Sequence, residues 1–319
     1  MQPNQNNPID TMEELEAFRI NTLDKKKKIK TTTLMLSGIA LFLLILFCLL
    51  SEGVQGGPIM GYLFFTGITI LIIHFARSQR VIKEYRRIFR SIVVSKMWQN
   101  VDPEVTFEPA RFIQRDWFLA SKLYKVTPNT YKGENHIFKQ FPNFNLYASE
   151  LDVTRRGGGK NNNNVPVFNG IFFVFELHNR QFEGTTLIMR DASQNQFGLG
   201  FLTELVEKIT YHRYDNMQFN NPEFEKYFQI FSTNQNETKD VVQNYLVIQL
   251  VVTRMQKALQ ISFSGRYICI AIEDRGTFFQ ADPKISLIDE NSLRKYLDEL
   301  ALYQSYYSRF IPIVERITG

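Results

Sequence analysis

Two stretches of the chain are apolar without any periodicity, and they set the first expectation. Leu34 to Leu50, LMLSGIALFLLILFCLL, is 17 residues without a charge, and Ile59 to Phe75, IMGYLFFTGITILIIHF, is another 17. A surface helix carries one apolar stripe, whereas these runs are apolar all round. About 20 residues at 1.5 Å rise cross a hydrocarbon layer of about 30 Å. The pattern therefore predicts a transmembrane helical hairpin over 34–76, with spans 34–50 and 59–75. The alternative, two core helices of a soluble protein, fits their adjacency and basic flanks less well.

On either side the pattern changes to helical period. Thr11-Met12-Glu13-Glu14 reads as a capping box, and a helix from there would carry Leu15, Phe18 and Leu23 into the first span. After the second span, Val81, Tyr85, Ile88 and Ile92, with Ile82, Phe89 and Val93, make an apolar stripe of helical spacing. This predicts an antiparallel helix pair, with Glu13, Glu14 and Glu16 at the level of Arg86, Arg87 and Arg90. The expected organisation is an N-terminal helix and basic anchor over 1–33, the hairpin, a basic amphipathic neck over 77–100, and an α+β domain over 101–319.

Pro103 and Pro109 break the neck. The stretch ARFIQRDWFLASKLY reads as a short helix, after which strands dominate. FNLYASELDV and VFNGIFFVFEL alternate in the manner of half-buried strands. PEFEKYFQIFST opens as a helical turn on Asn221 and passes into a strand. DVVQNYLVIQLVVTRMQKAL is long enough for a helix. LQISFSGRYICIAIED is a hairpin around Ser264-Gly265, and a last helix runs from about Glu290 to an interruption at Pro312. Strands joined by short turns, with helices mostly at the ends, imply an antiparallel sheet.

Charge fixes the orientation of the hairpin. Residues 1–33 hold six Lys/Arg and five Asp/Glu, residues 77–100 hold seven and one, and residues 101–319 hold 24 and 25. The excess of positive charge thus sits beside the apolar runs, at Lys25, Lys26, Lys27, Lys28 and Lys30 and at Arg77, Arg80, Arg86, Arg87 and Arg90. The linker SEGVQGGP has none. By the positive-inside rule both termini are cytoplasmic, and the same residues are the expected contacts with anionic lipid. A near-neutral body excludes a phosphate-gripping nucleic-acid binder. The two cysteines, Cys48 and Cys269, make no disulfide framework.

The search for chemistry ends without a catalytic constellation. In RRGGGKNNNN, Gly159-Lys160 is followed by Asn161 where a P-loop needs a hydroxyl, and its opening glycine is replaced by Thr154. The tract 157–164 reads as a flexible insert. His74, His136, His178 and His212 have no metal-ligand spacing, and each reads as a surface or satisfied core residue. Glu223 and Glu225 point apart on a helix. No cofactor or metal is implied and no catalytic residue is assigned.

Five stretches carry a resemblance: YRRIFRSIVVSKMWQNVDPEVTF, YKGENHIFKQFPNFNLYASELDV, VPVFNGIFFVFELHNRQFEGTTLIMRD, NNPEFEKYFQIFSTNQNETKDVV and LQISFSGRYICIAI. Phe168-Asn169-Gly170-Ile171-Phe172, then Phe182-Glu183-Gly184-Thr185, is the most specific part; Pro222-Glu223-Phe224-Glu225 with Phe231-Ser232-Thr233 comes next. Across about residues 10–300 the chain resembles the bacterial membrane proteins grouped as domain of unknown function 3137. Asn234 departs from the acid that tends to follow the Ser-Thr pair there. The resemblance implies two close spans and a cytoplasmic α+β body at the bacterial inner membrane. It supplies no mechanism, and it implies a LemA-like membrane protein as a neighbour. The resulting expectation is a bilayer-anchored protein whose body scaffolds or recruits a protein partner. A membrane-surface enzyme is the alternative, and a transport-associated subunit is third.

Overall fold

The computed structural model describes residues 12–50, 57–124, 126–157, 163–190, 214–218, 222–225, 227–242, 259–274, 277–288 and 290–319. The expected N-cap Thr11, most of the linker, most of the Gly/Asn insert, His212, Asn221 and the expected helix over 243–258 lie outside them. The chain divides into two units: residues 1–94 with 279–298, and residues 95–278 with 299–319.

The first unit is helical. α1 (Met12–Leu50) and α2 (Gly57–Phe89) run antiparallel. Phe18 stacks on Tyr85 with ring centroids 6.3 Å apart, and Thr33 Oγ1 meets His74 Nδ1 at 2.7 Å. Moving 15 residues along α1 thus moves 11 back along α2, as a hairpin requires. Among the described residues no helix is long and apolar enough to cross a membrane.

The neck departs from the expected straight helix. Arg90–Val94 is a π-helical turn that leads into α3 (Ser95–Val101). A π turn inserts an extra residue and rotates the helix beyond it. It turns Arg90 inward, to 6 % exposure, beside Val93 and Val94, which are also buried. Glu16 likewise takes other partners than the neck arginines. Its carboxylate accepts from Arg19 Nε at 2.9 Å and NH2 at 2.7 Å, from Ser286 Oγ at 3.0 Å and from the Leu287 backbone N–H at 3.1 Å. Arg19 also donates to the Pro283 carbonyl at 2.7 Å. A buried ion pair is tolerated only when its remaining donors and acceptors are filled, and the segment 283–287 fills them. The Arg19 hydrogen bond, followed by those from Leu287 and Ser286, outweighs burial and holds the Glu16 carboxyl down at about 2.

The second unit is built on a nine-stranded antiparallel sheet. The strands are β1 (Thr106–Glu108), β2 (Thr130–Gln140), β3 (Phe144–Arg156), β4 (Asn164–Leu177), β5 (Phe182–Arg190), β6 (Asp215–Met217), β7 (Phe228–Ser232), β8 (Leu259–Gly265) and β9 (Tyr267–Glu273). Their order is β1-β2-β3-β4-β9-β8-β5-β7-β6. The expected hairpin is β8–β9, with its turn at Arg266. β4 is central, and its alternation is deceptive. Ile171 to Phe175 are all fully buried, so both faces are covered. On one face Phe172 and Val174 pack with Phe118, Leu151, Leu187 and Ala271. Phe118 comes from the short helix α4 (Arg115–Ala120), found where the sequence places one. On the other face Phe173 meets Tyr303 edge-on at 6.2 Å. Tyr303 lies on α7 (Glu290–Ser308), and α8 (Ile311–Thr318) restarts with Pro312 in its first turn, where a missing N–H costs nothing.

Two buried polar clusters tie distant parts of this unit together. Asn135 sits at φ 57° where β2 bulges between Glu134 and Ile137, a conformation asparagine tolerates better than most residues. Its amide donates to the Glu150 carboxylate, which also accepts from the Phe278 N–H at 3.1 Å. Asp102 accepts from Lys139 Nζ at 2.7 and 2.9 Å and from Tyr307 Oη at 3.4 Å.

Gly170 pairs with Glu273 across β4 and β9. A Cβ there would overlap the Ile272 carbonyl oxygen and lie 2.7 Å from the Asp274 nitrogen, both rigid backbone. Gly170→Ala should therefore cost about 3 kcal/mol in denaturant unfolding of the second unit, and an unchanged midpoint would refute the close approach. Glu16 binds its proton more weakly folded than unfolded. The stability it contributes is complete above its ordinary value of 4.5 and is lost as pH falls towards about 2. Glu16→Gln should flatten the pH dependence of melting across that window; an unaltered profile would mean the carboxylate holds no folded-state advantage.

Candidate functional site

Two of the motifs that carry the family resemblance, Phe182–Thr185 and Phe231–Thr233, meet at one point of the second unit. β5 begins at Phe182-Glu183-Gly184-Thr185, the short turn α5 (Pro222–Glu225) precedes β7, which ends at Ser232, and α6 (Gln235–Val241) follows. Asn234 caps α6 by accepting from the Glu237 N–H at 3.3 Å. An aspartate would do the same, which explains why this departure from the pattern is tolerated. Glu237 in turn accepts from the backbone N–H groups of Glu183 at 2.9 Å and Gly184 at 2.7 Å. A Cβ on Gly184 would lie 2.6 Å from Asn234 Cβ, so only glycine lets the two segments come together. Beneath them Thr238 Oγ1 meets Thr186 Oγ1 at 2.6 Å and Ser232 Oγ at 2.7 Å, and Lys122 Nζ donates to Thr185 Oγ1 at 2.8 Å. This junction is closed on itself. Its hydroxyls and carboxylate hold protein groups, so it explains the motif as architecture.

An open cleft lies elsewhere in the unit, at the β1 end of the sheet. Its volume is about 490 Å³. Thr106 and Glu108 of β1 line it together, as alternate strand residues must. β2 contributes His136 and Phe138, β3 contributes Tyr147, and the segment into α4 contributes Arg111, Phe112 and Trp117. Three rings touch in different planes. Tyr147 lies 4.8 Å from Trp117 at 74° and 5.1 Å from Phe138 at 37°. The Tyr147 hydroxyl donates to Glu176 Oε2 at 3.2 Å. At the rim Arg111 NH1 donates to both oxygens of Glu108 at 2.8 and 2.9 Å. His136 Nδ1 is buried without a hydrogen-bond partner, 3.7 Å from Glu108 Oε2. Burial pushes the His136 imidazole below its ordinary value, so it is neutral at pH 7 despite the carboxylate beside it.

The residues singled out for topology and lipid contact lie on α1, α2 and the π turn. Lys25, Lys27, Lys28, Lys30, Arg77, Arg80 and Arg87 are exposed, and Lys26 is half-buried. Arg86 is half-buried and donates to the Ala281 carbonyl at 3.2 Å, while Arg90 is buried. His178 is half-buried, with Nδ1 3.0 Å from the Pro142 carbonyl. Sequence reasoning treated His136 as unremarkable and passed over Glu108, Arg111, Phe112, Trp117, Phe138 and Tyr147. The available signal was weak: aromatic residues alternating with charges in FEPARFIQRDWF.

The fold defines an α+β protein with N-terminal helices and a nine-stranded antiparallel sheet. Within it, residues 166–307 form a DUF3137 domain, matching the family described as Protein of unknown function (DUF3137). The match takes in β4 to β9 and nearly all of α7, and so the motif junction. The N-terminal helices, β1 to β3 and the cleft precede it. No curated protein matches the chain, and no solved structure does.

If Glu237 joins β5 to α6, its removal strands two backbone donors. Glu237→Ala should cost about 2 kcal/mol in unfolding free energy, against almost nothing for the exposed neighbour Asn236→Ala. Equal effects would show that the carboxylate does not tie the junction.

Proposed function

We propose that this chain is a two-pass protein of the bacterial inner membrane whose cytoplasmic α+β domain recruits or scaffolds a protein partner. One observation carries the membrane part. The paired helices α1 and α2 expose a continuous set of large apolar side chains. On α1 these include Leu34 at 72 %, Ile39 at 57 % and Phe42 at 63 %; on α2 they include Phe65 at 67 % and Ile72 at 63 %. Water disfavours such a surface on both partners of a helix pair, and lipid does not. Thr33 meets His74 near the end of this set, whose last strongly exposed member on α2 is Phe75, and exposed lysines and arginines lie beyond on both helices. That boundary supports spans over 34–50 and 59–75 with both termini cytoplasmic.

The scaffold part rests on the first unit's 283–288 segment. Glu16 and Arg19 pin its backbone, yet Ile288 stands 73 % exposed and Ile285 44 %. Apolar side chains held rigidly in water suit a partner surface. A LemA-like membrane protein, implied by the family resemblance, is the partner to test first.

The topology is read by two fusions. Green fluorescent protein at the C-terminus should fluoresce, and alkaline phosphatase inserted after Gly56 should be active. Phosphatase activity at the C-terminus with none at Gly56 would reverse the orientation. A photo-crosslinker at Ile288 should capture a co-expressed LemA-like protein, and capture that persists equally from exposed Lys132 in the sheet would remove the docking role.

A further inference from the structure

We propose that the cleft at the β1 end of the sheet binds an organic cation carrying a methylated ammonium group, with Glu108 as its counter-ion. The cleft precedes the DUF3137 domain in the chain, so the proposal does not derive from the family match. At about 490 Å³ it falls in the range that takes small ligands.

Its walls select the ligand's shape. Trp117 and Tyr147 present ring planes 74° apart, and Phe138 adds a third orientation. Three aromatic side chains thus line the cleft together with one carboxylate, and such walls suit a bulky organic cation better than a small hydrated one. Glu176 holds the Tyr147 hydroxyl, so that ring offers carbon and not a free donor.

Its charges select the ligand's sign. Glu108 supplies a carboxylate whose side chain is 35 % exposed; Arg111, which now holds it, is 70 % exposed. Such surface pairs are worth a factor of about five at most. An incoming cation can therefore displace the guanidinium into water at little cost. Burial works against a charge on His136, so that side chain favours no anion in the cleft. With Arg111 swung away the cleft carries one negative charge against aromatic faces. An anion would have to sit beside Glu108 and rely on Arg111 alone. A peptide adding to the β1 edge would find only three residues to pair with, too short an edge to hold a strand.

The test uses the full chain in dodecyl maltoside, titrated with choline and with its uncharged isostere, 3,3-dimethylbutan-1-ol, by calorimetry. Choline should bind about tenfold tighter than the isostere. Glu108→Gln should weaken choline about tenfold, and Arg111→Ala should strengthen it severalfold by removing the competitor. Both positions are at the cleft rim, and melting curves confirm that each variant is folded. Trp117→Leu gives a second route: it should weaken choline while leaving the isostere nearly unchanged. Equal binding of choline and the isostere would overturn the proposal, as would the opposite signs at Glu108 and Arg111, which mark an anion site. Nanodiscs of phosphatidylcholine that compete with choline would place the ammonium on a lipid headgroup. No competition from them would place it on a free solute, and either result retains the cleft as a methylated-ammonium site.

Discussion

Strand β4 carries five consecutive apolar residues, Ile171 to Phe175, and neither of its faces reaches water. A sheet strand with both faces buried needs a layer on each side. One layer comes from before the strand, through Phe118 of α4; the other comes from the C-terminal end of the chain, through Tyr303 of α7. The remaining architecture of this unit answers that demand. The covering layers bring polar atoms inside, and those must be paired or they oppose folding. Glu150 therefore ties the β2 bulge to Phe278, and Asp102 ties Lys139 to Tyr307. For Lys139, burial works against its charge, but the hydrogen bonds it donates to Asp102 and Glu104 prevail and the ammonium is held above its ordinary value.

The first unit meets the same demand in two ways. Leu15, Tyr85 and Phe89 of the helix pair are fully buried, whereas Leu34, Phe42 and Phe65 are exposed. On α1 the buried charge of Glu16 is neutralised three residues away by Arg19 and completed by backbone from residues 283–287.

Much of this was legible in the sequence. The helix pair, the short helix at Trp117, the β8–β9 hairpin and the α+β class come from local periodicity and turn chemistry. The DUF3137 domain was legible too, though over a shorter stretch than the resemblance implied. The inward turn of Arg90 was not, because a π turn has no sequence period of its own and a straight helix would have kept that residue outside. The double burial of β4 was legible in its unbroken apolar run, Ile171 to Phe175, and the expectation of a half-buried strand there overlooked it. The cleft was hidden for a different reason. Glu108, Trp117, His136 and Tyr147 come from separate elements, and only strand register places them around one space.

The sequence by itself determined local features: where helices and strands form, where apolar runs begin and end, and on which side of them positive charge collects. These depend on neighbours within a turn or a strand pair. Only the tertiary structure decided partnership across long separations. Glu16 meets Leu287 across 271 residues, and Tyr307 meets Asp102 across 205. No residue type or spacing specifies such pairs. They arise when burial of β4 and of the helix seam brings distant segments together and strips water from their polar groups, leaving each to be satisfied by whatever the fold has placed beside it.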